Sequence, residues 1–130
     1  MQLTLKNNLL FTQVTVAYQN RSVEIANVLV DTGSATTILA TDVVAAIEIE
    51  VAPDDVLHTI RGVGGTEAVF TRWVDYLRVN DCCLHNFEIE IGGMDYGFEL
   101  NGILGMNFLL PAKATINLQE MRIEFKQTLK

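Results

Sequence analysis

The sequence predicts a mostly-β domain with a closed or sandwich-like core. Three observations carry that prediction: apolar residues recur at every second position through much of the chain, only two short segments follow a helical spacing, and turn residues such as Asn80-Asp81 punctuate the apolar runs. The chain has 130 residues, of which 49% are hydrophobic. That is enough to bury a core without a disulfide or a metal. It reads as one domain over residues 1–130, because no linker, internal repeat or low-complexity tract interrupts it.

The elements follow in order. In "FTQVTVAY", Thr12, Val14, Val16 and Tyr18 share one face, with less apolar company opposite. "NVLV" is an apolar strand that runs into Asp31. "ATDVVAAIEI" is expected to be helical, with Thr41 as N-cap and Asp42 in the first turn, where the helix dipole favours a negative charge. "TIRGVGGTEAVF", Thr59 to Phe70, is strand-like but carries Gly62, Gly64 and Gly65. "WVDYLRV" and "LHNFEIEI" flank the Asn80-Asp81 turn and predict a hairpin. Phe87, Ile89 and Ile91 alternate with Glu88 and Glu90, and Ile123 and Phe125 alternate with Arg122 and Glu124. "MNFLLPA" is a short helix stopped by Pro111.

Composition removes several function classes. The net charge is −7, the isoelectric point is near 4.6, and no Lys/Arg cluster stands out. A nucleic-acid partner needs such a cluster, and an anionic membrane surface repels such a chain. Lys6 and Asn7 interrupt the apolar character of the first residues, so no signal peptide is expected, and no stretch of about 18 apolar residues offers a membrane span. The expected location is cytoplasmic. Cys82 and Cys83 are adjacent and read as reduced thiols near a turn. With His85 close by but no fourth ligand in view, no metal and no cofactor are expected.

The stretch "VLVDTGSATTIL" holds the main candidate site. Asp31, Thr32, Gly33 and Ser34 are wedged between two apolar runs, and polar groups beside a buried strand cost free energy unless paired. Two readings stand: an ordinary Asx turn after a strand, or a carboxylate held at the edge of the core for chemistry. Gly33 permits backbone geometry or close approach that a larger residue forbids. Two further segments bear on the choice. The glycines of "RGVGGTEAV" fit either a plain flexible hairpin or a mobile lid. In "LNGILGMNFLL", Gly105 follows the apolar pair Ile103-Leu104 and lets another segment pack tightly.

In this order and spacing the three segments resemble the retropepsin-like aspartic proteases. "LVDTGSATTIL" is similar to their catalytic loop, "RGVGGTEAV" to their flap, and "GILGMNFL" to their hydrophobic-hydrophobic-Gly segment, with Asn107 where the family often has Asn or Asp. Arg61 and Thr66 make the flap more polar than in many viral members. The resemblance implies a closed, barrel-like acid protease fold with one or two short helices, forming a two-fold dimer. It implies Asp31 as catalytic acid/base, Thr32 as the brace between two active-site loops, and Gly33 as the residue that shapes the loop. It implies that Ser34 hydrogen-bonds the carboxylate and that Gly62, Val63, Gly64 and Gly65 cover the substrate. Ile103 and Leu104, with Ile38, Val63 and Val69, are the expected apolar lining.

That chemistry needs two carboxylates. One activates water while the other, protonated, polarises the peptide carbonyl, so the two share a proton and titrate as a pair. The chain has a single Asp-Thr-Gly, so the second copy of Asp31 is expected from another chain across a two-fold axis. Under the resemblance, "QLTLK" and "MRIEFK" are candidates for an intersubunit sheet. The expected partners are a second copy and a peptide or protein substrate. A catalytically inactive dimerisation or peptide-binding module is the alternative, because fold does not fix function. An aspartyl-phosphate enzyme would want a Mg²⁺-binding carboxylate set and a phosphate-cradling Lys, and neither stands near Asp31.

Overall fold

The computed structural model describes residues 1–62, 65–94 and 99–126. Three antiparallel strands come first: β1 (Thr4–Lys6), β2 (Leu9–Tyr18) and β3 (Arg21–Val30). Two-residue turns join them. Asn7 and Asn8 take φ of 53° and 61°, and Gln19 and Asn20 take 49° and 68°. Positive φ at both central positions matches the right-handed twist of the flanking strands, and asparagine tolerates it better than most residues.

After β3 the chain forms β4 (Ile38–Ala40), the single helical turn α1 (Thr41–Val44) and a 3-10 turn at Ala45–Ile47. Thr41 is therefore the first helical residue and not the N-cap. Ala40 holds that position without a side-chain bond. The reason is that β4 stays extended through Ala40, which still pairs with Gly92. Then come β5 (His58–Gly62), β6 (Gly65–Val79), β7 (Cys82–Gly92), β8 (Gly102–Leu104), the short helix α2 (Met106–Leu109), β9 (Ala114–Asn117) and β10 (Arg122–Phe125). The expected hairpin across Asn80-Asp81 is β6–β7, closed by Val79↔Cys82. The expected short helix before Pro111 is α2.

Eight strands form one sheet in the order β1-β2-β3-β8-β4-β7-β6-β5. A further pairing, Thr15↔Arg78 through Ala17↔Tyr76, joins β2 to β6. It closes β2, β3, β8, β4, β7 and β6 into a ring, so the fold is mostly β and barrel-like, as expected. Closure pairs β2 and β6 across what would otherwise be an open sheet, and β1 and β5 remain as its outer strands. The β5–β6 hairpin projects from this ring, in register from His58↔Val69 to Gly62↔Gly65. β9 and β10 pair separately, and residues 1–3 lie along β10 through the Gln2↔Arg122 bridge. The Leu3 amide donates to Met121 O at 2.8 Å, and the Ile123 amide to Met1 O at 2.9 Å.

The core packs Leu39, Leu77, Ile89, Ile91, Leu104 and Phe108, all excluded from solvent. The Phe108 ring meets Phe87 and Phe125 edge to face. The alternation at Phe87, Ile89 and Ile91 holds, and all three side chains are buried. β2 departs from the expected one-sided pattern. Thr15 and Ala17 are buried along with Val14 and Val16, so both faces of β2 are shielded from solvent. Gln13 stays exposed where the register shifts between Thr12 and Val14.

Candidate functional site

Asp31 follows the last residue of β3, and its position is set by a parallel ladder. β3 pairs with β8 through Val28↔Gly102, Leu29↔Ile103 and Val30↔Leu104. The Asp31 amide extends that ladder by donating to Leu104 O at 3.0 Å. The side chain is half-buried, and its Oδ1 accepts the Gly33 amide at 2.8 Å. The Ser34 amide closes the turn onto Asp31 O at 3.2 Å. Both backbone ends of this carboxylate are therefore fixed, while Thr32 and Gly33 lie exposed. A Cβ on Gly33 would sit 3.1 Å from Asp31 Oδ1. Close approach to the carboxylate is thus what the glycine provides.

The turn after β8 braces this loop from behind. Gly105 lies so near that a Cβ there would be 2.0 Å from Thr36 O and 2.8 Å from Ser34 O. The Met106 amide donates to Ser34 O at 2.7 Å, and the Asn107 amide to Ala35 O at 3.1 Å. The Asn107 side-chain amide reaches Glu88 O on β7 at 3.2 Å. Thr37 is wholly buried, accepts the Gly105 amide at 3.1 Å and donates to Asn107 Oδ1 at 2.7 Å. A buried hydroxyl that both donates and accepts costs little to bury. The tight packing expected at Gly105 is present.

The other candidates are distributed as follows. The Ser34 hydroxyl donates to Thr36 O at 2.7 Å, whereas the resemblance had assigned it to the Asp31 carboxylate. A serine has one proton to donate, and the neighbouring carbonyl takes it; the Gly33 amide is the group on the carboxylate. Leu104 is wholly buried in the core, so its contribution to the site is its carbonyl. Val69 and Ile38 are buried too. Ile103 is half-buried between Leu29 of β3 and Ile38 of β4. Gly62 and Gly65 pair with each other, and Val63 and Gly64 lie outside the described residues.

Three residues with a part in the site were not singled out from sequence. They are Thr36, Thr37 and Glu90. Glu90 accepts the Thr36 hydroxyl at 2.6 Å and meets His58 Nε2 at 3.2 Å. A signal for Thr37 existed: a threonine abutting the apolar run "ILA" needs a buried partner, and Asn107 offers one. Among the described residues, no group of three His, Cys, Asp or Glu is placed to hold a metal, and no helix is long and apolar enough to cross a membrane. Both cysteines are free and buried.

A family model described as aspartyl protease matches residues 13–108. The matched span runs from within β2 into α2 and includes Asp31, the β5–β6 hairpin and Gly105. No curated protein matches the chain.

Proposed function

The chain belongs to the aspartyl protease family, and from that premise we propose that it is a retropepsin-like endopeptidase, active as a homodimer, with two copies of Asp31 sharing one site. One observation carries the reading: a single Asp-Thr-Gly per chain, whose carboxylate is clamped by the Gly33 amide at the exit of β3. One carboxylate cannot both take a proton from water and donate one to a carbonyl in the same step. A two-fold axis beside the exposed Thr32 supplies the second.

In this mechanism the ionised member of the pair takes a proton from water, and the protonated member donates to the peptide oxygen. The tetrahedral intermediate then collapses as the amine leaves with a proton. The Gly33 amide fixes the orientation of the Asp31 carboxylate through its bond to Oδ1. The Asp31–Leu104 and Met106–Ser34 bonds hold the loop before substrate arrives, so little reorganisation remains for the reaction. The β5–β6 hairpin, whose register ends at the Gly62↔Gly65 pair, closes over the peptide. Ile103 faces apolar side chains of the substrate. "QLTLK" and "MRIEFK" remain the candidates for the intersubunit sheet. The N-terminal residues already bridge to β10 within one chain, so the second copy adds to that pairing or exchanges with it.

The test is hydrolysis of a denatured protein at mildly acid pH. Wild-type chain should cleave it, a statine-type inhibitor should stop the reaction, and Asp31→Asn should be inert while keeping its fold. An inactive binding module would pull down peptide without cleaving it. Hydrolysis that survives Asp31→Asn would move the chemistry elsewhere.

A further inference from the structure

We propose that Glu90 is a positioning residue that couples the base of the β5–β6 hairpin to the Asp31 loop; the inference rests on the endopeptidase reading above. Strand alternation puts Glu90 on the face of β7 opposite Ile89 and Ile91, yet its side chain is only 14% exposed. Two segments cover it. Oε1 accepts the Thr36 hydroxyl at 2.6 Å, and Oε2 lies 3.2 Å from His58 Nε2. Its own amide donates to Thr37 O at 2.8 Å, which holds the carboxylate at a fixed height beside the loop.

Each end of this link reaches further. Thr36 O accepts the Ser34 hydroxyl and is packed against Gly105, so a shift of Thr36 moves the segment that carries Asp31. His58 is the first residue of β5 and begins the register that ends at Gly62↔Gly65. The approach to His58 is fastened nearby. Arg72 donates to Asp55 Oδ2 at 2.7 Å and to Glu50 O at 3.0 Å, and Asp55 Oδ2 also accepts the Ala52 amide at 2.6 Å. Arg72 follows Thr71, which pairs with Glu90. The hairpin base is thus tied twice to the β6–β7 pair, and of these two ties Glu90 is the one that also bonds the Asp31 loop.

A carboxylate suits this place because its two oxygens accept from two separate segments at once. Removing it frees the hairpin base from the loop without touching Asp31. Hairpin closure and loop order then cease to reinforce each other, and substrate binding suffers more than the chemical step.

The experiment has two readouts. In peptide hydrolysis, Glu90→Ala should raise KM about fivefold or more, the low end of coupling between linked sites, with kcat changed less. Glu90→Gln should recover only part of the loss, because its amide oxygen still accepts from Thr36 while the second acceptor, facing His58, is gone. His58→Ala should add little on top of Glu90→Ala, since both break one link. The second readout is amide hydrogen exchange without substrate. His58→Ala should speed exchange at the Ser34 and Met106 amides, beyond Glu90, and Thr36→Val should speed it along β5. Two results would overturn the inference: a Glu90→Ala chain that melts lower but keeps wild-type KM and kcat, or far-end amides that exchange at the wild-type rate. Should the wild-type chain cleave nothing, the endopeptidase reading fails, and the exchange readout still decides the coupling.

Discussion

The buried Thr37 hydroxyl donates to Asn107 Oδ1 at 2.7 Å, joining the Asp31 loop to the turn after β8. The Thr37 hydroxyl oxygen also accepts the Gly105 amide at 3.1 Å. Replacing Thr37 with valine keeps the shape and removes both bonds. A buried amide and a side-chain oxygen are left unpaired, each costing about 1–3 kcal/mol. Thr37→Val should therefore lower unfolding free energy by about 2 kcal/mol or more in denaturant titration, with the midpoint moving and the slope unchanged. A change within about 0.5 kcal/mol, the range of surface substitutions, would mean that this bond does not hold the loop.

Gly105→Ala addresses the same junction by volume. The added methyl would lie 2.0 Å from Thr36 O, which is backbone and cannot rotate away. The turn must then retreat from the loop and break the Met106–Ser34 contact. Overpacking of a rigid site costs about 1–3 kcal/mol and sometimes more, and the Asp31 loop should lose order along with it. Thermal unfolding and hydrolysis should both fall. A Gly105→Ala chain as stable and as active as wild type would contradict the packing described here.

The period-two strands were legible because one face of most of them meets the core, as at Ile89 and Ile91. Asp31 and Gly105 were legible because a polar residue or a glycine interrupts an apolar run there. Closure of the sheet was not, since the β2–β6 pairing joins residues about sixty positions apart and leaves no local trace. The Asn7-Asn8 turn was present in the sequence but read only as a break in apolar character. Alternation with Ile89 and Ile91 puts Glu90 on the face of β7 away from theirs. Its partners lie 54 and 32 residues away, beyond what any local period reports. Thr41 was misread as a cap because capping propensity is local, whereas pairing of β4 with β7 keeps Ala40 extended.

Stability at alkaline pH should report on Cys82. Burial pushes its thiol from the ordinary 9.0 up to about 11, with Asp81 and Cys83 adding in the same direction. Cys83 is raised as well, burial outweighing the opposing Arg78. Between those two values the folded chain keeps a proton that the unfolded chain has released. The stabilisation is complete below the unfolded value and is lost as pH climbs to about 11. Denaturant titrations of wild type and Cys82→Ala across this range should show a shallower decline for the variant, other alkaline groups cancelling in the difference. Equal declines would contradict the assignment. Alkylation of the folded chain at neutral pH should be slow for the same reason.

Dilution tests the need for a second chain. If each site takes one Asp31 from each of two chains, specific activity should fall as the protein is diluted through its dimer dissociation constant, in step with sizing measurements. Activity per chain that stays flat where only monomer remains would rule out the shared site.

The most direct measurement mixes wild-type chain with Asp31→Asn at fixed total concentration and follows hydrolysis after exchange of subunits. Only a pair with two native carboxylates can activate water and protonate the carbonyl together, so wild-type homodimers alone should turn over. The rate should fall as the square of the wild-type fraction, reaching about one quarter at equal mixing by random pairing of two subunits. A rate that falls in direct proportion to the wild-type fraction would show that one chain carries a complete site and would contradict the account.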